Sequence, residues 1–395
     1  MQVELGDLGF HEGGALLVKR AARLAGPGAR VTVSGTAPEF EVHLRSWCRL
    51  EGHTLEHLDG CGATLIVSPA GEARWSGAER TGLSDAFLPQ AIVERPPQRW
   101  GLAARGALVE AGSPEFAFLL DQKVEVWSGD ATRIYAQGAA AQWDPATAIP
   151  WDADFDLPRE VEDAVVQIMT YLIENETAAL LVPSRFVSQV HPHFREVMQV
   201  LALQAADEAR HIEVFTRRAL LKRSELGLST AGGQASLKTL VEEPDFAVAS
   251  FLLSVLGEGT FLSLLWFLER HAPDPVTAAV CRLAAQDEAR HVAFGMAHLR
   301  EHTALDSGIL PKLAAAVRAR HDALQNTAGL NAEVFDSLLL VAAGGWALAD
   351  LRRSHQALTE LMKEMDERRQ SRMTYLGFSS DQAKELSSLH TKNFM

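Results

Sequence analysis

The chain has 395 residues, of which 47% are apolar and 22% charged, with a formal net charge of -14 and a pI near 5.5. That length leaves room for two or three domains, one with a sizeable core. The acidic balance argues against nucleic acid as a partner, because such surfaces draw most of their affinity from clustered Lys and Arg. Cys48, Cys61 and Cys281 form no CxxC pair and no framework, so reduced thiols in a cytoplasmic protein are expected. The opening MQVELGDLGFHEGG lacks a basic start followed by an apolar stretch, and no run is expected to approach the roughly 20 apolar residues of a membrane span. A soluble chain with no membrane partner is the expectation.

Residues 1–75 read as a small α/β module. MQVELGDL, ARVTVSGT and ATLIVSPA alternate like strands, GGALLVKRAARLAG has helical spacing closed by Gly26-Pro27-Gly28, and EFEVHLRSWCRLEGH reads as a second helix. The order is β-α-β-α-β. Residues 76–155 read as a connecting region, with Pro96-Pro97, the tryptophans Trp100, Trp127, Trp143 and Trp151, some helix around 114–140 and a turn-rich end, WDPATAIPWDADFDLP. From Pro158 onward the chain is predicted helical. Pro158, Pro192, Pro244 and Pro275 each sit where a first helical turn tolerates proline, giving helices near 158–186, 192–225, 244–271 and 275–304 within a core domain of residues 156–305. Residues 306–395 add helices near 309–326 and 331–368, the latter with Gly344-Gly345 as a soft point. Short loops join the first four helices into antiparallel hairpins, so the fold class is mainly α, a helical bundle preceded by a small α/β domain.

The pentapeptide DEARH occurs twice, at 207–211 and 287–291. Within each copy Glu and His are three apart, which on a helix puts them on one face about a turn from each other. Leu201, Ala205, Ile212 and Phe215 share the face of Glu208 and His211, while Cys281, Ala284, Ala285 and Val292 share that of Glu288 and His291. Those faces point into a bundle. A buried carboxylate without a partner costs several kcal/mol, so the pattern calls for a cation inside, and carboxylate plus imidazole suits iron or manganese.

Facing residues of an antiparallel hairpin are symmetric about its loop. Glu258 and Glu288 have their midpoint at residue 273, inside RHAPDP, and Glu176 and Glu208 have theirs at residue 192, inside VHPHF. Glu174 competes with Glu176 by position, but Glu176 shares its face with Met169, Leu172, Ile173 and Leu180, whereas Glu174 sits with Gln167, Thr170 and Thr177. The expected metal and catalytic set is therefore Glu176, Glu208, His211, Glu258, Glu288 and His291.

Paired DEARH motifs on the second and fourth helices, each preceded by a helix carrying one Glu, resemble the ferritin-like di-iron carboxylate proteins, over roughly residues 155–305. The resemblance implies a non-haem di-iron oxygenase or oxidase: two iron ions, ferrous and ferric in turn, or a mixed Mn/Fe pair, with dioxygen as co-substrate, a small organic substrate and an external reductase or ferredoxin as electron donor. A homodimer is also expected. It further implies that Asp207 and Asp287 hydrogen-bond the ligand histidines, with Arg210 and Arg290 in the same outer layer. The competing expectation is an iron-handling ferroxidase or a peroxide scavenger, although no CxxC pair for a rubredoxin-like centre is present. A radical-generating subunit is a third reading, and Tyr171 its candidate tyrosine.

Gly257 and Gly259 flank Glu258 and are read either as space for a reactant or as close helix packing. The relatives' threonine position four residues after Glu258 is Leu262, and the place of a third histidine is Ala284. His191, His193 and His271 lie in hairpin loops and are expected at the surface. The N-terminal module resembles the small TusA-like sulfur-relay fold, but its Cys-Pro-x-Pro turn is replaced by Phe10-His11-Glu12-Gly13-Gly14, which implies a docking or structural role without a persulfide.

Overall fold

A computed structural model of the chain describes residues 1–69, 75–88, 90–325 and 332–390. It divides into two compact units, residues 1–85 with 103–115, and residues 86–102 with 116–395. The first unit is therefore longer than the module read from sequence, because 103–115 folds back into it. Its sheet holds β1 (Gln2–Glu4), β2 (Arg30–Ser34), β3 (Thr54–Asp59) and β4 (Gly62–Ile66) in the order β1-β2-β4-β3, with β1 parallel to β2 and the other pairs antiparallel. Helices α1 (Gly14–Ala25) and α2 (Phe40–Glu51) supply Val18, Ala22, Leu44 and Trp47 to the core beneath it. The predicted β-α-β-α-β thus gains a strand: TLEHLD exposes most of its side chains as an edge strand, so its apolar alternation is weak. A short pair, β5 (Glu79–Arg80) and β6 (Leu108–Val109), completes the unit.

The second unit is a helical bundle. Two short helices, α3 (Lys123–Val126) and α4 (Ala131–Ala140), stand where some helix around 114–140 was expected, with residues 114–122 lying outside any helix. The core is the antiparallel hairpin α5 (Arg159–Val187) and α6 (Arg195–Ala219), packed on the hairpin α8 (Phe246–His271) and α9 (Pro275–Leu305). Pro158 caps α5, Pro192 opens a 3₁₀ turn before α6, Pro244 precedes the Asp245 cap of α8, and Pro275 is the first residue of α9. Helix α7 (Ala231–Val241) was not foreseen, its Gly-Gly start being a weak helical signal. Helix α10 (Ile309–Leu324) matches expectation up to residue 324, since residues 326–331 lie outside the described residues. The long helix expected over 331–368 is two, α11 (Ala332–Ala343) and α12 (Leu348–Leu376), bent by 119° where Gly344 takes φ +69°. Helix α13 (Ser380–Ser388), also unforeseen, starts at a Ser379–Gln382 capping box.

Two apolar clusters fill the bundle, one at each end. The first joins Ala178–Phe186 of α5, Phe194–Leu201 around the start of α6, Phe246–Leu256 of α8 and Phe294–Leu299 of α9. The second joins Val161–Leu172, Val214–Ala219, Phe261–Leu268 and Val276–Ala285 of the same four helices. Between them lies one polar layer. Helices α5 and α8 are long and apolar enough to cross a membrane, contrary to expectation, but 67% and 89% of their most apolar windows are buried in this packing.

A second buried charge group closes one end of the bundle. The Arg218 guanidinium is fully buried and donates to Glu162 at 2.7 and 3.0 Å, to Asp274 at 2.7 Å and to Thr277 at 2.7 Å. Each charge there has a partner, as buried ions require.

Candidate metal centre

The polar layer holds Glu176 from α5, Glu208 and His211 from α6, Glu258 from α8, and Glu288 and His291 from α9, none more than 3% exposed. They form two sets whose ligand atoms lie within 4.8 Å of one another: Glu176, Glu208, His211 and Glu288, and Glu208, Glu258, Glu288 and His291. Glu208 and Glu288 belong to both. That is the pattern of a two-ion site with two shared carboxylates. Glu174, the competing candidate, is half-buried and lines a surface groove with Ile173 and Thr177.

Both histidines present Nδ1 to the carboxylates. His211 Nδ1 lies 3.1 Å from Glu208 and 3.5 Å from Glu288, and His291 Nδ1 lies 3.0 Å from Glu208 and 3.4 Å from Glu288. Their Nε2 atoms point outward and across: His211 Nε2 is 3.1 Å from Asp287, and His291 Nε2 is 3.2 Å from Asp207. Each motif's Asp thus serves the other motif's His, a crossing the sequence did not reveal. An ionised Asp accepts only, so each Nε2 carries a proton and donates; a metal ion taking the place of the second ring proton would be met by the Nδ1 lone pair.

As they stand, these groups are electrostatically frustrated. Burial first, then the charges of Glu208 and Glu288, push the Glu176 carboxyl well above the ordinary range. Burial and Glu288 do the same to Glu258. Burial opposes ionisation of Glu208 too, yet His291 and His211 hold it well below. Burial likewise works against both imidazolium ions, but Glu176 and Asp287 keep His211 charged, and Glu208 and Glu288 keep His291 charged, far above the usual imidazole value. Cations in this layer would relieve the repulsion among its carboxylates. Glu176 Oε1, Glu208 Oε1, Glu258 Oε2, both Glu288 oxygens and His291 Nδ1 are buried with no hydrogen-bond partner. Those orphaned atoms are what two divalent ions would satisfy.

An outer layer fixes the two Asp side chains. Arg210 donates to Asp207 at 2.5 Å and to Asp287 at 2.7 Å, and Arg290 donates to Asp287 and, at 3.4 Å, to Asp207. Burial opposes charge on both, but hydrogen bonds from the histidines and, for Asp287, from Arg210 hold both carboxyls below the usual range. Two further members come from the segment read as a connector: Gln142 Nε2 donates to Asp207 at 2.8 Å, and Trp143 Nε1 donates to Asp287 at 2.8 Å. Arg210 lies 4.5 Å over the Trp143 ring, which itself stacks nearly parallel to His211. Gln204 was also missed; its Nε2 donates to Glu258 at 2.7 Å. It lies four residues before Glu208 on the same face, so spacing could have found it.

Around Glu258 the backbone is a π-helix over Phe251–Glu258, which turns Ser254 toward Glu258 and against Gly295. The space beside Gly259 is filled: a Cβ there would stand 2.5 Å from Arg372 Cζ, so this glycine admits a guanidinium rather than a reactant. Tyr171 is buried beside Phe261, and burial raises its phenol far above the usual range. His191 and His193 are 1% and 2% exposed instead of lying at the surface, because residues 93–100 and 118–120 cover them: His193 Nε2 accepts from the Val93 amide at 3.0 Å, and His191 Nε2 lies 3.3 Å from the Pro97 carbonyl. His271 is half-buried.

No described protein family and no curated protein matches the chain. Among solved structures it is similar to an R2-like ligand-binding oxidase with an aerobically reconstituted metal cofactor, at 18% identity and a TM-score of 0.43, covering 66% of this chain and 90% of that one. It is similar also to an R2-like ligand-binding oxidase from Sulfolobus acidocaldarius, at 16% identity and a TM-score of 0.40, covering 64% and 93%.

Proposed function

We propose that the bundle is a non-haem dinuclear metal oxidase or oxygenase that binds two iron ions, or one manganese and one iron, and couples dioxygen reduction to oxidation of a small organic substrate. One observation carries this reading: two buried ligand sets that share Glu208 and Glu288. Glu176 and His211 would complete one ion's ligands, and Glu258 and His291 the other's. Such ions would supply the redox chemistry. The protein's own groups do the rest: Asp207 and Asp287 fix which imidazole nitrogen faces inward, Gln204 orients Glu258, and the apolar clusters on either side exclude water. An external electron donor, a cytoplasmic location and a soluble, membrane-independent existence belong to the same proposal.

The test is metal analysis of full-length protein reconstituted anaerobically with ferrous iron, or with manganese and iron, followed by stopped-flow mixing with oxygen and candidate substrates. Two ions per chain, and a reaction with oxygen whose course a substrate changes, are expected. Mineral accumulation beyond two irons per chain, with no response to any organic compound, would favour the iron-handling alternative. Failure to hold metal at all would remove both.

A further inference from the structure

Helix α12 lays two arginines against the back of the α8 segment that carries Glu258. Arg372 Nε donates to the Val255 carbonyl at 2.7 Å, inside the π-helical stretch, and its guanidinium covers the Gly259 backbone. Arg369, 6% exposed, donates through Nε to Ser387 Oγ at 2.9 Å and through Nη1 to Thr260 Oγ1 at 3.3 Å. From α10, Arg320 reaches inward to donate to Ser236 Oγ at 2.7 Å. His390 follows Ser387 by one turn, its amide donating to the Ser387 carbonyl at 3.1 Å, and burial first, then the charges of Arg369, Arg320 and Arg372, hold its imidazole well below the usual range.

Counter-charge is scarce. Asp366 lies 3.8 Å from Arg369 with its side chain 43% exposed, and among the described residues no carboxylate lies within 4.0 Å of Arg320 or Arg372. Arg372 Nη2 and His390 Nε2 are buried with no hydrogen-bond partner. Grouped cations out of water repel one another and are costly unless something anionic joins them. The contrast with Arg218 is instructive, since that buried guanidinium has two carboxylates of its own.

We propose that Arg320, Arg369, Arg372 and His390 form a binding site for the oxyanion group, carboxylate or phosphate, of a small molecule. Planar guanidinium forks match both groups, and the unused Nη2 of Arg372 supplies a donor already desolvated. Burial agrees: it brings Arg320 and Arg369 down to about 10, and burial with the neighbouring Arg369 brings Arg372 to about 9, shifts that an anion would reverse. Gly259 and Thr260 are one and two residues past Glu258, rotated by roughly 100° each on a helix, so a ligand here touches the back of α8. Its route to Glu258 is the Arg372 bond to the Val255 carbonyl.

Isothermal titration of full-length protein with sodium phosphate and, separately, sodium butyrate at fixed ionic strength tests the site. Saturable binding of at least one probe at one site per chain is expected, weakened about tenfold or more in R372Q and in R369Q and unchanged in R353Q, whose exposed guanidinium pairs with Asp350. Tighter phosphate identifies a phosphorylated ligand, and tighter butyrate a carboxylate. Absence of saturable binding of both probes to the unaltered protein would overturn the proposal whatever the variants do, as would unchanged binding in folded R372Q and R369Q. The measurement needs neither metal nor oxygen, so its failure leaves the dinuclear reading untouched.

Discussion

The indole Nε1 of Trp143 donates to Asp287 Oδ2 at 2.8 Å, across 144 residues of sequence, and the same oxygen lies 3.1 Å from His211 Nε2. A side chain from outside the four core helices therefore helps set the orientation of a proposed metal ligand. Trp143→Phe keeps the ring over Arg210 and removes the donor. Metal affinity should fall about tenfold or more, as for other outer partners of ligand histidines, while melting shows a stability loss of about 1 kcal/mol. Unchanged affinity in competition with a chelator would mean that the tryptophan only packs.

Sharing of Glu208 and Glu288 makes the six positions unequal. Glu176→Ala removes a group that serves one set, so reconstituted protein should retain about one ion per chain; Glu208→Ala touches both sets and should retain almost none. Elemental analysis after gel filtration distinguishes the two. Equal losses would show that the sets are not separate sites.

His298 is fully buried between Phe246 and Phe294, with His302 beside it and neither ring nitrogen hydrogen-bonded. Burial, aided by His302, lowers its pKa to about 3. The folded value is depressed, so the stability contributed by the neutral ring is fully present above the ordinary imidazole range and is lost as pH falls toward 3, the unfolded chain taking up the proton first. At pH 5 that loss amounts to about 2 kcal/mol. His298→Leu should match the unaltered protein near pH 7 to within about 1 kcal/mol and lose less stability on acidification to pH 5. Parallel pH profiles from urea melts would contradict this.

Gly295 on α9 faces Ser254 so closely that an added Cβ would fall inside van der Waals distance of the serine side chain. Gly295→Ala gains about 1 kcal/mol of helix propensity and still should destabilise by about 1–3 kcal/mol, because the contact is buried and Ser254 has nowhere to move. Equilibrium unfolding decides the sign. A stabilised variant would show that the π-helical stretch yields readily.

That the six inner residues would come together was legible because helical spacing and hairpin symmetry are local rules, and DEARH obeys them twice; the outer positions of Asp207, Asp287, Arg210 and Arg290 were expected from the resemblance alone. Gln142 and Trp143 were not, since they reach the site from a turn with no periodicity. His191 and His193 were misread for a related reason: a polar residue in a hairpin loop looks exposed until a distant segment, here the one with Val93 and Pro97, is laid over it. The π-helix before Glu258 left no mark in the apolar run FLLSVLGE, where every side chain is buried whichever way the helix winds. The extra strand Thr54–Asp59 was hidden for the opposite reason, its side chains being mostly exposed.

The crossed pairs, Asp207 with His291 and Asp287 with His211, have the pattern of a two-fold symmetric interface, in which position i of one half meets j of the other and j meets i. Two identical copies of one helical hairpin, related by a two-fold axis through the carboxylate layer, would make the same contacts. The single chain therefore behaves as a fused dimer with itself. A substitution at one Asp changes the half it does not belong to, so the motifs are free to diverge only in step, and neither hairpin inherits a complete centre on its own.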